Sequence, residues 1–301
     1  GAASARPVDR YESDQVFITY QDFLTPPTLF LGAARQPGEK LKSMPAFFDA
    51  SRMTVQQLEA KSRDGTSVPY FVVGSSGVKN APTMLYGYGG FENALEPFYS
   101  GTLGRAWLAR GGVLVVANIR GGGEFGPPWH QAALKEKRQN AFDDFIAIAE
   151  DLARRGIAQP RQIGIRGGSN GGLLVGAALT QRPELFGAAV AQVPLLDMKR
   201  YNKLLAGASW MAEYGDPDVA EQWAYIAKYS PYQNVRKDAR YPPTLFVTST
   251  RDDRVHPAHA RKMFARMREQ GHDAWYYENI EGGHGAASNN EQRALMSAIE
   301  Y

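Results

Sequence analysis

From Pro82 onward, the chain is a series of short apolar runs that alternate with longer amphipathic stretches. The apolar runs predict strands at residues 83–86, 113–118, 162–166, 188–193, 244–250 and 274–278. Strands that lack an alternating polar face are buried on both sides, which is typical of parallel sheets. The pattern therefore predicts the α/β class, with a mostly parallel, doubly wound sheet covered by helices on both faces.

The amphipathic stretches between these strands predict helices. One helix has Asn140 as its candidate N-cap and ends at Gly156, because glycine favours the left-handed conformation of a C-terminal cap. Its apolar face comprises Phe142, Phe145, Ile146, Ala149 and Leu152. Two further helices are predicted at 171–182 and 257–270, each bounded by a proline or a glycine.

The first part of the chain has a different pattern. Residues 15–20 and 28–31 flank a Thr-Pro-Pro turn and predict short antiparallel strands without a sheet of their own. Residues 54–61 and 68–73 flank Asp64-Gly65, and Asp-Gly supplies the positive φ angles of a tight turn. These two segments therefore predict a β-hairpin.

Composition narrows the class of protein. The 301 residues are 44% hydrophobic and 22% charged, which is typical of a globular chain with a large core. The net charge is only +3 and no basic run contains interleaved aromatics, so nucleic acid is not an expected partner.

The absence of cysteine excludes disulfides and a thiol nucleophile. No apolar run approaches the roughly 20 residues of a membrane span. We expect a soluble protein of the cytoplasm or periplasm, and the composition does not distinguish the two.

The candidate nucleophile is Ser169, in the motif Gly167-x-Ser169-x-Gly171. The motif lies between a predicted strand and a predicted helix, where the two backbones approach closely around a sharp turn. Glycine is needed at such a turn, and the serine hydroxyl is left exposed above the sheet. A strand–helix turn with a bystander serine is the alternative.

A serine hydroxyl needs a general base, which a carboxylate orients. His284 is the candidate base, because it lies in a glycine-rich loop after the last strand, where α/β-hydrolases place their histidine. We expect His256 and His259 to cap a helix or lie at the surface. His272 is predicted to be exposed, and His130 is predicted to be structural or substrate-facing.

The candidate acid follows the strand at 244–250. Asp252 is favoured because it is nearer the end of the strand, and Asp253 stays open as the alternative. Acyl transfer also needs donors for the oxyanion. One is the backbone N–H of Asn170, and the loop at residues 86–91 supplies either a backbone N–H or the Tyr88 hydroxyl.

Nothing in the sequence predicts a cofactor or a metal site. Residues 121–126 match G-x-G-x-x-G after a strand, but Pro127 and Pro128 follow at once and prevent the helix that a dinucleotide fingerprint requires. The zinc-binding motif H-E-x-x-H does not occur in the sequence.

Several motifs together resemble the prolyl oligopeptidases, serine peptidases that combine an α/β-hydrolase domain with a β-propeller. The matching segments are Tyr-Gly-Tyr-Gly-Gly-Phe at 86–91, Ala-Asn-Ile-Arg-Gly-Gly-Gly-Glu at 117–124, Gly-Gly-Ser-Asn-Gly-Gly-Leu-Leu at 167–174, Asp-Asp-Arg-Val at 252–255 and Gly-His-Gly at 283–285. The resemblance implies a catalytic triad of Ser169, Asp252 and His284, with Tyr88 and the Asn170 amide as oxyanion donors.

The same resemblance implies a substrate pocket. Trp210 would stack on a proline ring, with Phe91 and Val255 as further apolar walls, and Arg254 would hold a substrate carbonyl. A proline ring offers no donor to recognise, so an aromatic face and apolar walls suit it. The implied substrates are short proline-containing peptides.

The resemblance also implies a domain organisation. Residues 1–45 look like the closing strands of a β-propeller, and residues 46–301 look like the α/β-hydrolase domain. The rest of the propeller is absent, so we expect the chain to be the C-terminal portion of a longer enzyme. Two other functions stay open. An esterase of the same fold would not need Arg254 or Trp210, and a non-catalytic binding domain would not need the triad.

Overall fold

The computed structural model describes residues 1–33, 36 and 38–301, in which the strands form two sheets. The smaller sheet is antiparallel, with its strands in chain order: β1 (Ala2–Pro7), β2 (Gln15–Gln21), β3 (Thr28–Ala33) and β4 (Glu39–Ser43). The prediction that this region lacks a sheet of its own was therefore wrong. The two outer strands are mostly exposed and one is charged, so they carry no apolar alternation and are held by backbone pairing to β2 and β3.

The larger sheet has eight strands in the order β12-β11-β10-β9-β7-β8-β6-β5. They are β5 (Met53–Lys61), β6 (Ser67–Ser75), β7 (Thr83–Tyr86), β8 (Val113–Ala117), β9 (Ile163–Gly168), β10 (Ala188–Gln192), β11 (Thr244–Ser249) and β12 (Ala274–Asn279). Strands β7 to β12 run parallel, and β6 and β5 are antiparallel additions at one edge. The predicted mostly parallel sheet is confirmed, as is the β5–β6 hairpin, whose turn contains Gly65 at φ 87°.

Helices cover both faces of this sheet. The α-helices are α1 (Gly101–Ala106), α2 (Pro127–Gln131), α3 (Gln139–Arg154), α4 (Asn170–Gln181), α5 (Met211–Tyr214), α6 (Ala220–Ile226), α7 (Pro231–Asn234), α8 (Ala258–Glu269) and α9 (Asn290–Glu300). The three predicted helices correspond to α3, α4 and α8. The predicted cap of α3 was wrong, because Arg138 occupies the N-cap and Asn140 donates from Nδ2 to the carbonyl of Ala132 at 2.8 Å.

Strand β8 shows how the sheet is buried. Val113, Val115 and Ala117 belong to the core under α3 and α4, whereas Leu114 and Val116 belong to the core under α1 on the opposite face. Successive side chains of a strand point to opposite faces, so an unbroken apolar strand requires cover on both sides. Each valine or leucine of this strand contributes roughly 1.5–3 kcal/mol when fully buried.

The small sheet contacts the large one through Phe23, which follows β2. Its ring lies 5.4 Å from that of Phe71 in β6 and 5.6 Å from that of Phe98. The backbone N–H of Tyr99 also donates to the side chain of Gln21 at 3.2 Å.

In the part of the chain that the structure describes, none of the helices combines the length and apolarity needed to traverse a bilayer.

Candidate active site

Ser169 lies in a sharp turn between β9 and α4, with φ 57° and ψ −116°. L-residues other than glycine rarely adopt positive φ, and such strain is often found at functional sites. A Cβ at Gly167 would lie 2.3 Å from the Gly171 carbonyl oxygen, and one at Gly171 would lie 2.7 Å from the Gly87 carbonyl oxygen. The glycines are therefore required by close backbone contact, as predicted for a nucleophile elbow.

Asp252 and His284 form a hydrogen-bonded pair. Nδ1 of His284 lies 3.0 and 2.9 Å from the two carboxylate oxygens of Asp252. A carboxylate only accepts, so Nδ1 carries the proton and Nε2 is the acceptor of the neutral ring. Asp253, the alternative acid, is exposed in the same loop.

The carboxylate of Asp252 is held by its own loop. Its Oδ1 accepts from the backbone N–H groups of Arg254 at 2.9 Å and Val255 at 3.0 Å, and the side chain is fully buried. These contacts fix the direction of the carboxylate before any substrate binds.

One cavity of about 480 Å³ brings together most of the predicted site residues. Its lining comprises Tyr88, Phe91, Asn93, Ser169, Leu195, Trp210, Arg254 and His284. Ser169 and His284 do not hydrogen-bond within the described residues, and catalytic hydrogen bonds are often long before substrate binds. The volume falls in the range typical of small-molecule and peptide side-chain pockets.

Three of the predicted residues lie outside the lining of this cavity: Asp252, which contacts it only through His284, Val255 and Asn170. Val255 is 1% exposed and belongs to the main core. Asn170 is also buried, and its side chain bridges two neighbours. Its Nδ2 donates to the Tyr88 carbonyl and its Oδ1 accepts from the Tyr214 hydroxyl, both at 2.6 Å. The roles predicted for Val255 and for the Asn170 amide stay predictions.

The Tyr88 phenol faces Ser169. Burial raises the pKa of Tyr88, and the nearby Ser169 hydroxyl acts in the opposite direction with a smaller effect. The phenol therefore keeps its proton at neutral pH and is able to donate a hydrogen bond into the cavity.

The other histidines have different surroundings. His256 is partly buried directly before Pro257, the N-cap of α8, and its Nδ1 accepts the Ala258 N–H. The surface or capping role predicted for His259 was wrong, because it is 1% exposed and its Nδ1 accepts the backbone N–H groups of Leu196 and Asp197. It lies on the face of α8 that packs against the core. The two remaining histidines are partly buried: His272, which was predicted to be exposed, and His130.

Asn93 and Leu195 were not singled out from the sequence. Leu195 follows β10, and the carboxyl ends of parallel strands form the ligand-binding edge of such sheets, so its position was a usable signal. Asn93 lies just beyond the glycines of the 86–91 loop, and no residue pattern marks it.

Comparison with known proteins identifies relatives over nearly the whole chain. Residues 101–301 match the sequence model of the prolyl oligopeptidase family. The chain is 52% identical over 294 residues to an uncharacterised peptidase of Sinorhizobium fredii, covering 96% of this chain and 40% of that protein. It is 38% identical over 292 residues to a prolyl endopeptidase of Elizabethkingia miricola, covering 94% of this chain and 41% of that enzyme. The chain thus spans about two-fifths of the length of these relatives.

Solved structures give the same result. A prolyl endopeptidase structure superposes with a TM-score of 0.95 at 42% identity, covering 100% of this chain and 45% of that one. A post-proline cleaving enzyme from Rickettsia typhi superposes with a TM-score of 0.91 at 40% identity, covering 99% of this chain and 44% of that one. The predicted α/β-hydrolase fold is confirmed, and the chain belongs to the prolyl oligopeptidase family.

Proposed function

We propose that this chain is the catalytic portion of a serine endopeptidase that hydrolyses short peptides on the carboxyl side of proline through an acyl-enzyme. Ser169 is the nucleophile, His284 is the general base and acid, and Asp252 orients His284. The observation that carries the proposal is the cavity in which Ser169 and His284 meet Trp210 and Arg254, with His284 already paired to Asp252.

The reaction follows from these positions. Nε2 of His284 accepts the Ser169 proton as Oγ attacks the scissile carbonyl, and it then returns that proton to the leaving amine. The Tyr88 hydroxyl and the Asn170 backbone N–H donate to the developing oxyanion. Water attacks the acyl-enzyme in a second cycle with the same base, which releases the acid product.

Substrate selection depends on the rest of the cavity. Trp210 offers an aromatic face to the proline ring, and Phe91 extends the apolar wall, whereas Val255 is buried in the core outside the cavity lining. Arg254 donates to a substrate carbonyl, which would orient the chain on the amino side of the scissile bond. An aromatic face is suited to a ring that has no hydrogen-bond donor.

The whole enzyme is proposed to be longer than this chain. Residues 1–45 would be closing strands of a β-propeller, and residues 46–301 the hydrolase domain. The four-stranded antiparallel sheet at the start supports this, because propeller blades are built of four such strands. The remaining propeller is therefore the proposed partner of the catalytic domain.

The test compares two reporter amides of the same leaving group, one after Gly-Pro and one after Gly-Ala, together with labelling by a serine-directed phosphonate. We expect turnover of the Gly-Pro amide only, and labelling that Ser169→Ala abolishes and His284→Ala strongly slows. Labelling with turnover of simple esters alone would favour an esterase. Neither labelling nor turnover would favour a non-catalytic domain.

A further inference from the structure

The loop that carries Tyr88 has an unusual backbone. Phe91 and Glu92 both adopt φ 55°, and Gly89 adopts φ 68°. Two consecutive non-glycine residues in the left-handed region are sparsely populated, and they persist only where the surroundings hold them. The contacts that hold this loop therefore determine where the Tyr88 hydroxyl lies.

Two buried side chains supply those contacts. Nη1 of Arg138 donates to the Gly89 carbonyl at 2.7 Å, and Oε1 of Glu213 accepts the Phe91 N–H at 2.9 Å. Nη2 of Arg138 also donates to Oε1 of Glu213. We call this pair the Arg138–Glu213 clamp, because it binds the loop by a carbonyl and an N–H on either side of Gly90.

The clamp is charged and almost fully enclosed. The side chains of Arg138 and Glu213 are 1% and 5% exposed. Burial by itself would raise the pKa of Glu213, but the Arg138 charge, the Phe91 N–H and the His130 hydrogen bond outweigh it and lower that pKa. Nε2 of His130 lies 2.8 Å from Oε2 of Glu213 and so completes the carboxylate's hydrogen bonds. Separating the two side chains in such surroundings is costly, because each would be left as an unpaired buried charge.

The same clamp reaches the segment that carries Trp210. Glu213 lies in α5, which begins directly after Trp210. The Arg138 guanidinium lies 5.1 Å above the ring of Tyr214, the next residue of α5. The Tyr214 hydroxyl continues the connection to Asn170, whose side chain donates to the Tyr88 carbonyl. The segment that carries Trp210 and the loop that carries Tyr88 are thus joined by one buried network.

We propose that Arg138 and Glu213 are positioning residues that hold the Tyr88 hydroxyl at the oxyanion site and tie it to the Trp210 segment. Neither side chain lines the cavity within the described residues, so they act through the loop and not on the substrate. The inference rests on the proposed function, because it assigns the clamp a task in that reaction.

Arg138→Lys is the first test. Lysine keeps the positive charge beside Glu213, but it lacks the planar fork that bonds Gly89 and Glu213 together. We expect kcat on the Gly-Pro amide to fall on the order of 10²-fold, the effect of a misplacement of about 1 Å, with KM little changed. The rate is expressed per active site, counted by end-point phosphonate labelling, so that partial misfolding does not mimic the effect.

The matched control is Arg120→Lys. Arg120 is also a buried arginine, and its side chain pairs with Asp64 and Asp144 on the neighbouring part of the fold. We expect it to lower the urea midpoint of unfolding as much as Arg138→Lys does, while kcat per labelled site stays near wild type. Equal losses of kcat per site in both variants would overturn the proposal.

A double-mutant cycle with Tyr88→Phe separates positioning from general damage. If the clamp acts through the Tyr88 hydroxyl, the double variant loses scarcely more kcat than Tyr88→Phe alone, whereas independent effects multiply. Glu213→Gln, which keeps the shape of the side chain and removes its charge, is the second variant for the same cycle. Multiplying losses in both cycles would overturn the proposal.

Two further outcomes are distinct. Loss of all labelling and of the circular dichroism spectrum in both clamp variants would make the pair a folding element and overturn its positioning role. A wild-type protein that cleaves an activated ester but not the Gly-Pro amide would refute the proposed function. The cycle would then be measured on the ester and would still decide the role of the clamp.

Discussion

His284 and Asp252 are joined by both carboxylate oxygens, at 3.0 and 2.9 Å from the same ring nitrogen. This arrangement fixes one tautomer of the ring, with the proton on Nδ1. The carboxylate is in turn held by two backbone N–H groups of its own loop. Of the two aspartates that are adjacent in sequence, Asp252 therefore contacts the histidine, whereas Asp253 is exposed.

Asp252→Asn is expected to lower kcat by on the order of 10⁴-fold, because an amide that donates to Nδ1 forces the proton onto Nε2. The fold should survive, since the amide oxygen still accepts the two loop N–H groups. Steady-state kinetics on the Gly-Pro amide measure the effect. Asp253→Asn is the matched control and should leave kcat unchanged. A larger loss in the control would transfer the role to Asp253.

Tyr88→Phe removes only a hydroxyl, so packing should hardly change. If that hydroxyl stabilises the developing oxyanion, kcat on the amide should fall by about 2.7–4 kcal/mol in activation free energy with little change in KM. Tyr86→Phe is the control, because Tyr86 lines a different cavity beside Met84 and Tyr301. Wild-type kcat in Tyr88→Phe would assign the second donor to a backbone N–H of the same loop.

Trp210→Ala is expected to weaken transition-state binding of proline substrates by about 1–3 kcal/mol, the value of one aromatic burial and stacking contact. Ester substrates without the ring should lose less. The measurement is kcat/KM for both substrate types, with Trp275→Ala as the control at a tryptophan that is 63% exposed. Equal losses on the two substrates would indicate a packing role for Trp210.

His259 should make the fold sensitive to acid. Burial lowers its pKa from 6.5 to about 4, the effect of Asp197 opposing this and that of Lys262 adding to it. The unfolded chain therefore binds a proton between pH 6.5 and 4 that the folded chain excludes. This contribution to stability is fully present above pH 6.5 and is lost as the pH falls towards 4, with a maximum on the order of 3 kcal/mol.

The urea midpoint of unfolding, measured between pH 7.5 and 4.5, tests this expectation. His259→Gln keeps an acceptor for the Leu196 and Asp197 N–H groups but does not titrate, so its midpoint should vary less with pH. His272→Gln, at a partly exposed histidine, should retain the wild-type pH dependence. The prediction fails if His259→Gln and wild type lose stability in parallel.

Local interactions made much of this protein predictable from its residues. The apolar runs that became β7 to β12 could only be buried on both faces, and the Asp64-Gly65 turn could only adopt a tight, positive-φ geometry. The elbow at Ser169 follows from glycines whose Cβ atoms would clash with backbone. Each of these features depends on residues close in sequence, on backbone sterics and on the order of the strands. Residue patterns can therefore predict it.

Other features depended on partners distant in sequence. Asp252, and not Asp253, contacts His284 because the loop beyond β12 places the histidine against one carboxylate and leaves the other in solvent. His259 was predicted to cap a helix or lie at the surface, and it is buried because the loop after β10 covers it. The small sheet formed because backbone pairing recruits polar strands that have no apolar signal. The Arg138–Glu213 pair joins residues 75 apart in the chain. A buried charge is stabilised by an opposite charge beside it. Only the tertiary structure determines which charges the fold buries together.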